Sequence, residues 1–197
     1  MKRGALYLGA GLVPAGWALA PLGMSGHMAA HMIAVAVAAP LVAVGLSGTR
    51  ADPTRRWPRT VTPMAMMLVE LVTVWGWHLP ALRHAADGSI LLTALEQLSF
   101  LAAGILLWSA ATHRPGRAAG IGAMLLTSMH MTLLGVLVGL APRPLYGAMH
   151  HHAAHLDPLS DQQLGGVIML VIGGAGYLLG GLALLATLLR GERSASA

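Results

Sequence analysis

The sequence lacks cysteine and has little charge and few aromatic side chains. None of the 197 residues is cysteine, 10% are charged, 5% are aromatic, and phenylalanine occurs once. Without cysteine the chain has no disulfide framework, no thiolate metal site and no cysteine nucleophile. A typical soluble domain is about 25% charged, so the low charge argues against a soluble globular enzyme.

Apolar residues dominate the rest of the composition. They make up 56% of the chain, and the mean hydropathy is +0.68. This excludes intrinsic disorder, which requires low hydrophobicity and high charge, and indicates an integral membrane protein. The net charge of +5 and the pI near 10.8 do not indicate nucleic-acid binding, because the basic residues lie in short clusters between apolar runs.

Six apolar runs approach the length of about 20 residues that a helix needs to cross the hydrocarbon core. They are Ala5–Leu22, His27–Leu46, Val61–Leu79, Ile90–Ala111, Ala118–Leu140 and Leu164–Leu189. The connections are too short for a soluble domain, so residues 1–197 are predicted to form a single transmembrane domain with a cytoplasmic tail at 190–197. The predicted fold class is an all-α polytopic membrane bundle of about six transmembrane helices.

The basic residues predict the orientation through the positive-inside rule. With the N-terminus in the cytoplasm, every Lys and Arg except Arg83 and Arg143 lies on the cytoplasmic side. An even number of spans then places both termini in the cytoplasm. Residues 1–22 are also similar to a signal peptide, but Pro21, directly after the small-residue site, favours a retained first helix.

Most of the ten histidines fall at the outer ends of the predicted helices or in outer loops. His27 and His31 are four residues apart and share a helix face, and Met24 and Met28 repeat this spacing on the same stripe. His78 lies at a similar depth on the third run. Imidazole and thioether without thiolate suit copper, as either Cu(I) or Cu(II). The sequence therefore predicts an outer copper site, with packing roles for these side chains as the alternative.

Two carboxylates are candidates for orienting a ligating imidazole. Glu96 is predicted at about the depth of His31, where it would accept the second N–H of a histidine ligand or be protonated and bonded to the backbone. Asp161 is predicted near the outer face, above the histidines. Its alternative role is that of N-cap of the last helix.

Further histidines give two additional candidate positions. His130, flanked by two methionines near mid-membrane, is either a deeper metal position or one half of a buried pair with Glu70. Adjacent residues point to different helix faces, so the flanking methionines cannot both serve one ion with it. His150 and His152 belong to a histidine-rich tract in an outer loop, which is predicted to capture metal loosely.

Four motifs follow one another along the chain. They are His27-Met28-x-x-His31-Met32 with Ala39-Pro40-Leu41, Trp77-His78-Leu79-Pro80, Leu95-Glu96-x-x-Ser99-Phe100, and Asp161-Gln162-Gln163-Leu164-Gly165-Gly166. In order and spacing they resemble the polytopic CtaG-type cytochrome c oxidase assembly factors, from about residue 24 to residue 189. The chain has Thr93 and Gln97 where that family often has His.

The resemblance implies a maturation factor, not an enzyme, that inserts or delivers copper at the outer face of the membrane. The expected protein is a multi-pass metallochaperone of a bacterial-type plasma (inner) membrane. Its expected partners are the copper-bearing subunit of cytochrome c oxidase, the lipid bilayer and a second copy of the chain, without nucleic acid. Two alternatives stay open: a haem-binding membrane redox protein with His31 and His78 as ligands, and a copper transporter using His130 and Glu70.

Overall fold

The computed structural model describes the backbone of residues 2–113, 116–146 and 156–195, with side chains to residue 190. These residues form helices joined by short connections, and no strand occurs among them. The helices are α1 (Lys2–Trp17), α2 (Met24–Leu46), α3 (Pro53–Arg56), α4 (Pro63–Trp77), α5 (Pro80–Asp87), α6 (Ile90–Thr112), α7 (Arg117–Gly139) and α8 (Pro158–Ala195). Two of them contain a π-helical stretch, at Ile33–Ala38 in α2 and at Met169–Gly174 in α8.

Four of the described helices are long and apolar enough to cross a membrane: α2, α6, α7 and the Pro158–Arg190 part of α8. A fifth span results if α4 and α5 are counted together, although they are bent by 70°. The bend lies where Pro80 disfavours helical backbone at the residue before it. The 16 residues of α1 reach about 24 Å, which is short for a hydrocarbon core of about 30 Å. The described lengths thus give four or five spans, where the sequence predicted about six.

Helix α1 packs antiparallel along α2. A Cβ added to Gly16 would lie 3.0 Å from the side chain of Ile33, while at the other end Lys2 Nζ donates to the carbonyl oxygen of Ser47 at 3.0 Å. The beginning of α1 and the end of α2 therefore meet at one end of the bundle. We call it the basic end, because the connection that follows α2 carries several arginines.

The opposite end is organised by a close approach of α8 to α7 and α2. A Cβ on Gly166 would lie 2.5 Å from the backbone nitrogen of Gly139 and 2.7 Å from the carbonyl oxygen of Gly135. Only glycine permits this separation, which confirms the predicted packing role of small residues in the last run. On the neighbouring face, Gly165 lies against Met28, where an added Cβ would be 3.1 Å from Cγ.

Methionine fills much of the core between the helices. Among the described residues, eight methionines are buried there: Met24, Met28, Met32, Met66, Met67, Met124, Met131 and Met169. Large apolar side chains such as Leu68, Val72 and Leu137 are exposed on the outward faces, as expected for helices in contact with lipid. Most methionines at helical spacing therefore serve packing, and only their contacts can single out a candidate ligand.

Candidate metal site

His27, His31 and His78 lie together at the end of the bundle opposite the basic end. The ring centroids of His31 and His78 are 5.5 Å apart, and those of His27 and His78 are 6.3 Å apart. All three side chains are buried, with residue exposures of 6% or less. The predicted convergence of imidazoles from two helices is confirmed, whereas their role in metal binding stays a prediction.

The position of His78 at the end of α4 fixes its ring. Its Nδ1 lies 2.6 Å from the carbonyl oxygen of Val74, one turn earlier. A carbonyl oxygen can only accept, so Nδ1 carries the proton and Nε2 keeps a free lone pair. Nε2 lies 3.4 Å from Sδ of Met28. An imidazole lone pair and a thioether sulphur therefore lie next to each other.

His31 is fully buried, and neither of its ring nitrogens has a hydrogen-bond partner among the described residues. Its ring stacks on Phe100, the single phenylalanine of the chain, with centroids 3.8 Å apart and planes inclined by 13°. A buried polar group without a partner costs about 1–3 kcal/mol. The stack orients the ring of His31, and the open nitrogens leave it free to bind a ligand.

Arg83 brings positive charge into the site, which the sequence analysis did not predict. Its Nη1 donates to Glu96 Oε1 at 2.6 Å and Oε2 at 2.5 Å, and its Nη2 donates to Asp87 at 2.6 Å. The same Nη1 lies 3.3 Å and 3.4 Å from the two ring nitrogens of His27. The carboxylate of Glu96 thus bonds to Arg83, although it also approaches His27 Nε2 at 3.6 Å. An Arg and an Asp four residues apart on one helix was the available signal.

Asp161 holds the start of α2. Its carboxylate accepts from the backbone N–H groups of Met24 at 2.6 Å and Ser25 at 3.1 Å, and from the Ser25 hydroxyl at 2.5 Å. The alternative role of Asp161 as N-cap of the last helix is wrong, because that helix begins at Pro158 and its N-cap is Asp157. Asp161 instead satisfies free N–H groups at the start of the helix that carries two of the histidines.

Tyr146 closes the site from the connection between α7 and α8. Its hydroxyl donates to the backbone carbonyl oxygen of His78 at 3.1 Å. Burial raises the pKa of Tyr146 to about 12, so the hydroxyl stays protonated and keeps donating at neutral pH. The predicted capture residues His150 and His152 follow it in sequence but lie outside the described residues.

One protein family matches most of the chain. The family model for the cytochrome c oxidase caa3 assembly factor, Caa3_CtaG, matches residues 4–191. The chain belongs to this family. The match includes every helix that contributes to the histidine cluster, and it confirms the resemblance that the four sequence motifs indicated. No curated protein and no solved structure matches the chain.

The two deeper candidates of this assembly factor are not paired with each other. The hydroxyl of Tyr177 donates to Glu70, and neither nitrogen of His130 has a partner among the described residues. The predicted Glu70–His130 pair is therefore wrong, because α8 places a tyrosine against α4. Tyr177 also stacks on Trp108, whose Nε1 donates to the carbonyl oxygen of Val35 at 3.0 Å.

The positions at which this chain departs from the family pattern differ in their surroundings. The Thr93 hydroxyl donates to the carbonyl oxygen of Ala86 at 2.8 Å, whereas the buried amide of Gln97 has no partner among the described residues. Within residues 2–113, 116–146 and 156–195, no three His, Asp or Glu side chains are arranged to hold a metal ion. The potential metal donors that lie close together are the imidazoles of His31 and His78 and the sulphur of Met28. For Met24, the other predicted sulphur ligand, the structure shows a hydrogen bond from its backbone N–H to Asp161.

Proposed function

We propose that this assembly factor binds copper at the histidine end and delivers it to the copper-bearing subunit of a cytochrome c oxidase. The observation that carries the proposal is the approach of His78 Nε2 to Met28 Sδ beside the unpartnered imidazole of His31. Imidazole and thioether form a soft, neutral donor set that favours Cu(I) and tolerates Cu(II). The protein is then a maturation factor that carries its metal as cargo, not an enzyme.

The distance between the nitrogen and the sulphur supports a shared ion. Tetrahedral ligands with bonds of about 2.0 Å to nitrogen and about 2.3 Å to sulphur stand about 3.5 Å apart. His78 Nε2 and Met28 Sδ are 3.4 Å apart. His31 supplies the second imidazole, with its ring centroid 5.5 Å from that of His78.

His27 has a different place in the proposal. The guanidinium of Arg83 lies at the edge of its ring, so copper reaches His27 only when Arg83 moves away. Glu96 compensates the charge of Arg83 and keeps that cation from repelling the metal. Because a ligating imidazole must be neutral, protons compete with copper, and we expect copper release to increase as the pH falls.

In the membrane, we propose a plasma-membrane location with the histidine end on the extracytoplasmic side. The concentration of arginines at the opposite end supports this orientation through the positive-inside rule. Both termini then lie in the cytoplasm, and α1 together with the bent α4–α5 pair brings the number of spans to about six. The absence of cysteine suits copper handling in an oxidising compartment.

The decisive experiment is copper analysis of the purified protein after anaerobic loading with Cu(I). We expect His31→Ala and His78→Ala to lose most of the bound copper, because each removes one imidazole donor. His84→Ala is the matched control, since His84 is an exposed histidine on α5. Equal copper contents in all variants and the wild type would refute the proposed site.

The same preparation separates the alternatives. A Soret band in the absorption spectrum would show that His31 and His78 bind haem and not copper. Accumulation of copper inside protein-containing vesicles would indicate a carrier. Transfer of copper to an apo-oxidase subunit without vesicle uptake is the outcome that supports delivery.

A further inference from the structure

A second polar site lies at the basic end, where a cavity of about 430 Å³ opens between α1, α2, α6 and α7. This volume is within the range of sites that bind small molecules. Its lining includes Lys2, Arg55, Arg117, a single carboxylate, Asp52, and several hydroxyl-bearing residues, among them Ser109. From Glu96 in the histidine cluster to Ser109 on the same helix is about 20 Å, so the two sites are separate.

The three cations of this cavity have no carboxylate partner. The described residues place no Asp or Glu within ion-pair distance of Lys2, Arg55 or Arg117. Asp52 is engaged elsewhere, because it accepts from the N–H of Gly48 at 2.7 Å and from Thr54. Its burial raises its pKa, but these hydrogen bonds outweigh that effect and leave the pKa below its ordinary value. The cavity therefore has an excess of positive charge.

Arg117 is the most informative of these cations. Lys2 and Arg55 donate to the carbonyl oxygens of Ser47 and Gly48, where cations at a helix C-terminus are favourable. Arg117 instead occupies the first residue of α7, where a cation opposes the helix dipole and an anion is favoured. Its buried Nε has no hydrogen-bond partner among the described residues.

Ser109 gives a second, independent observation. The residue is 7% exposed and lines the cavity, yet its hydroxyl has no hydrogen-bond partner among the described residues. A positive-inside charge bias accounts for exposed arginines but gives no reason for a buried, unsatisfied hydroxyl beside them. A ligand that accepts hydrogen bonds from both groups would satisfy Ser109 and Arg117 together.

We propose that this cavity binds a phosphate group, carried either by the headgroup of an anionic membrane lipid or by a small soluble phosphate. Tetrahedral phosphate oxygens accept charge-assisted hydrogen bonds from guanidinium and ammonium groups and ordinary ones from a hydroxyl. Because the cavity lies at the end of a membrane bundle, both a lipid headgroup and a soluble phosphate could reach it. The site is independent of the copper site and does not depend on its assignment.

The test uses the full-length purified protein with inorganic phosphate as the soluble probe and nanodiscs of phosphatidylglycerol or phosphatidylcholine as the lipid probes. Phosphate affinity is measured calorimetrically, and retained lipid is measured by native mass spectrometry. We expect Arg117→Gln to weaken binding by about tenfold or more, because a charge-assisted hydrogen bond is lost. Arg50→Gln is the matched control, since Arg50 is exposed at the same end but does not line the cavity.

Ser109→Ala keeps the test decisive if Arg117→Gln fails to fold. Removing an unsatisfied buried hydroxyl leaves the unliganded protein at least as stable, so weaker binding by this variant reports on the ligand. Selective retention of phosphatidylglycerol that inorganic phosphate does not displace identifies a lipid headgroup, whereas saturable phosphate binding without lipid selectivity identifies a soluble ligand. Absence of both, or equal binding by Arg117→Gln and Arg50→Gln, would overturn the proposal.

Discussion

The two polar ends of the bundle treat charge in opposite ways. At the histidine end, Arg83 is paired with Glu96 and Asp87, so the groups left over are neutral imidazoles and a thioether. At the basic end, three cations line an open cavity with one carboxylate that is already hydrogen-bonded. Neutral lone pairs favour a soft metal cation, and unpaired cations favour an anion. Local charge balance, and not the number of polar residues, therefore distinguishes the ligand expected at one end from the ligand expected at the other.

The largest effect on stability is expected at the histidine end, from the buried ion pair between Arg83 and Glu96. Arg83→Ala leaves a buried carboxylate without its partner, so we expect the free energy of unfolding to fall by about 3–5 kcal/mol. The measurement is denaturant unfolding in detergent. Arg143→Ala, at an exposed arginine, is the control and should change stability by less than about 0.5 kcal/mol.

A double variant sharpens this result. Arg83→Leu combined with Glu96→Leu removes both charges, so much of the lost stability should return. Equal losses in Arg83→Ala and Arg143→Ala would mean that the histidine end does not depend on its charge pair.

Between the two ends, the buried polar pair of Tyr177 and Glu70 allows a test of whether buried polar groups outside the two sites affect ligand binding. Tyr177→Phe removes the hydroxyl that donates to Glu70 and should lower the free energy of unfolding by about 1–3 kcal/mol. We expect copper and phosphate binding to stay unchanged, because the Tyr177 hydroxyl already bonds to Glu70 and lines neither candidate site. Tyr7→Phe, at a tyrosine that is 73% exposed, should be neutral. Loss of copper from Tyr177→Phe at retained stability would instead assign the mid-membrane carboxylate to the metal path.

Met28 tests the chemical basis of the histidine end. Met28→Leu keeps the volume of the side chain but removes the sulphur, so we expect Cu(I) affinity to fall about tenfold, or about 1.4 kcal/mol. Competition with a Cu(I) chelator measures this change. Met64→Leu, at a methionine that is 42% exposed on α4, controls for the substitution itself. An unchanged affinity in Met28→Leu would identify Met28 as a packing residue.

The smallest expected effect concerns the helix caps. Asp161→Ala removes the carboxylate that bonds the first N–H groups of α2 and should cost about 0.5–2 kcal/mol. Asp157→Ala removes an exposed cap of α8 and should cost less, because water replaces its hydrogen bonds. Thermal unfolding of both variants makes the comparison. A larger loss for Asp157→Ala would show that the start of α2 is held by packing alone.

Much of the fold was predictable because lipid solvation imposes a simple pattern. Long apolar runs must become helices in a bilayer, and the predicted runs correspond to α2, α6, α7 and α8. The structure departs from the predictions where helices are short. The first run gives a helix of 16 residues, and the third gives a helix of 15 residues followed by a bend at Pro80, so the described lengths give four or five spans where about six were predicted.

The candidate site was partly predictable for a similar reason. His27 and His31 share a face by helical spacing, and the depth of His78 could be predicted from its place at a helix end. Tyr146 and the stack of Phe100 on His31 were missed, because each contact joins residues more than 60 positions apart in sequence. Arg83 was missed although its spacing from Asp87 was a local signal, because its bonds to Glu96 and its approach to His27 depend on how the helices pack. The same holds for Asp161, whose partner is a helix that begins 137 residues earlier.

The amino-acid sequence alone was enough to predict a helical membrane bundle with histidines towards one end and arginines towards the other. These properties depend on composition and on the spacing of residues within single helices. The packing of the helices was needed to show which charges cancel, which imidazoles keep a lone pair, and which hydroxyl has no partner among the described residues. The reason is that hydrogen bonds and ion pairs act over a few ångströms between helices, and their partners are set by packing that no single helix encodes.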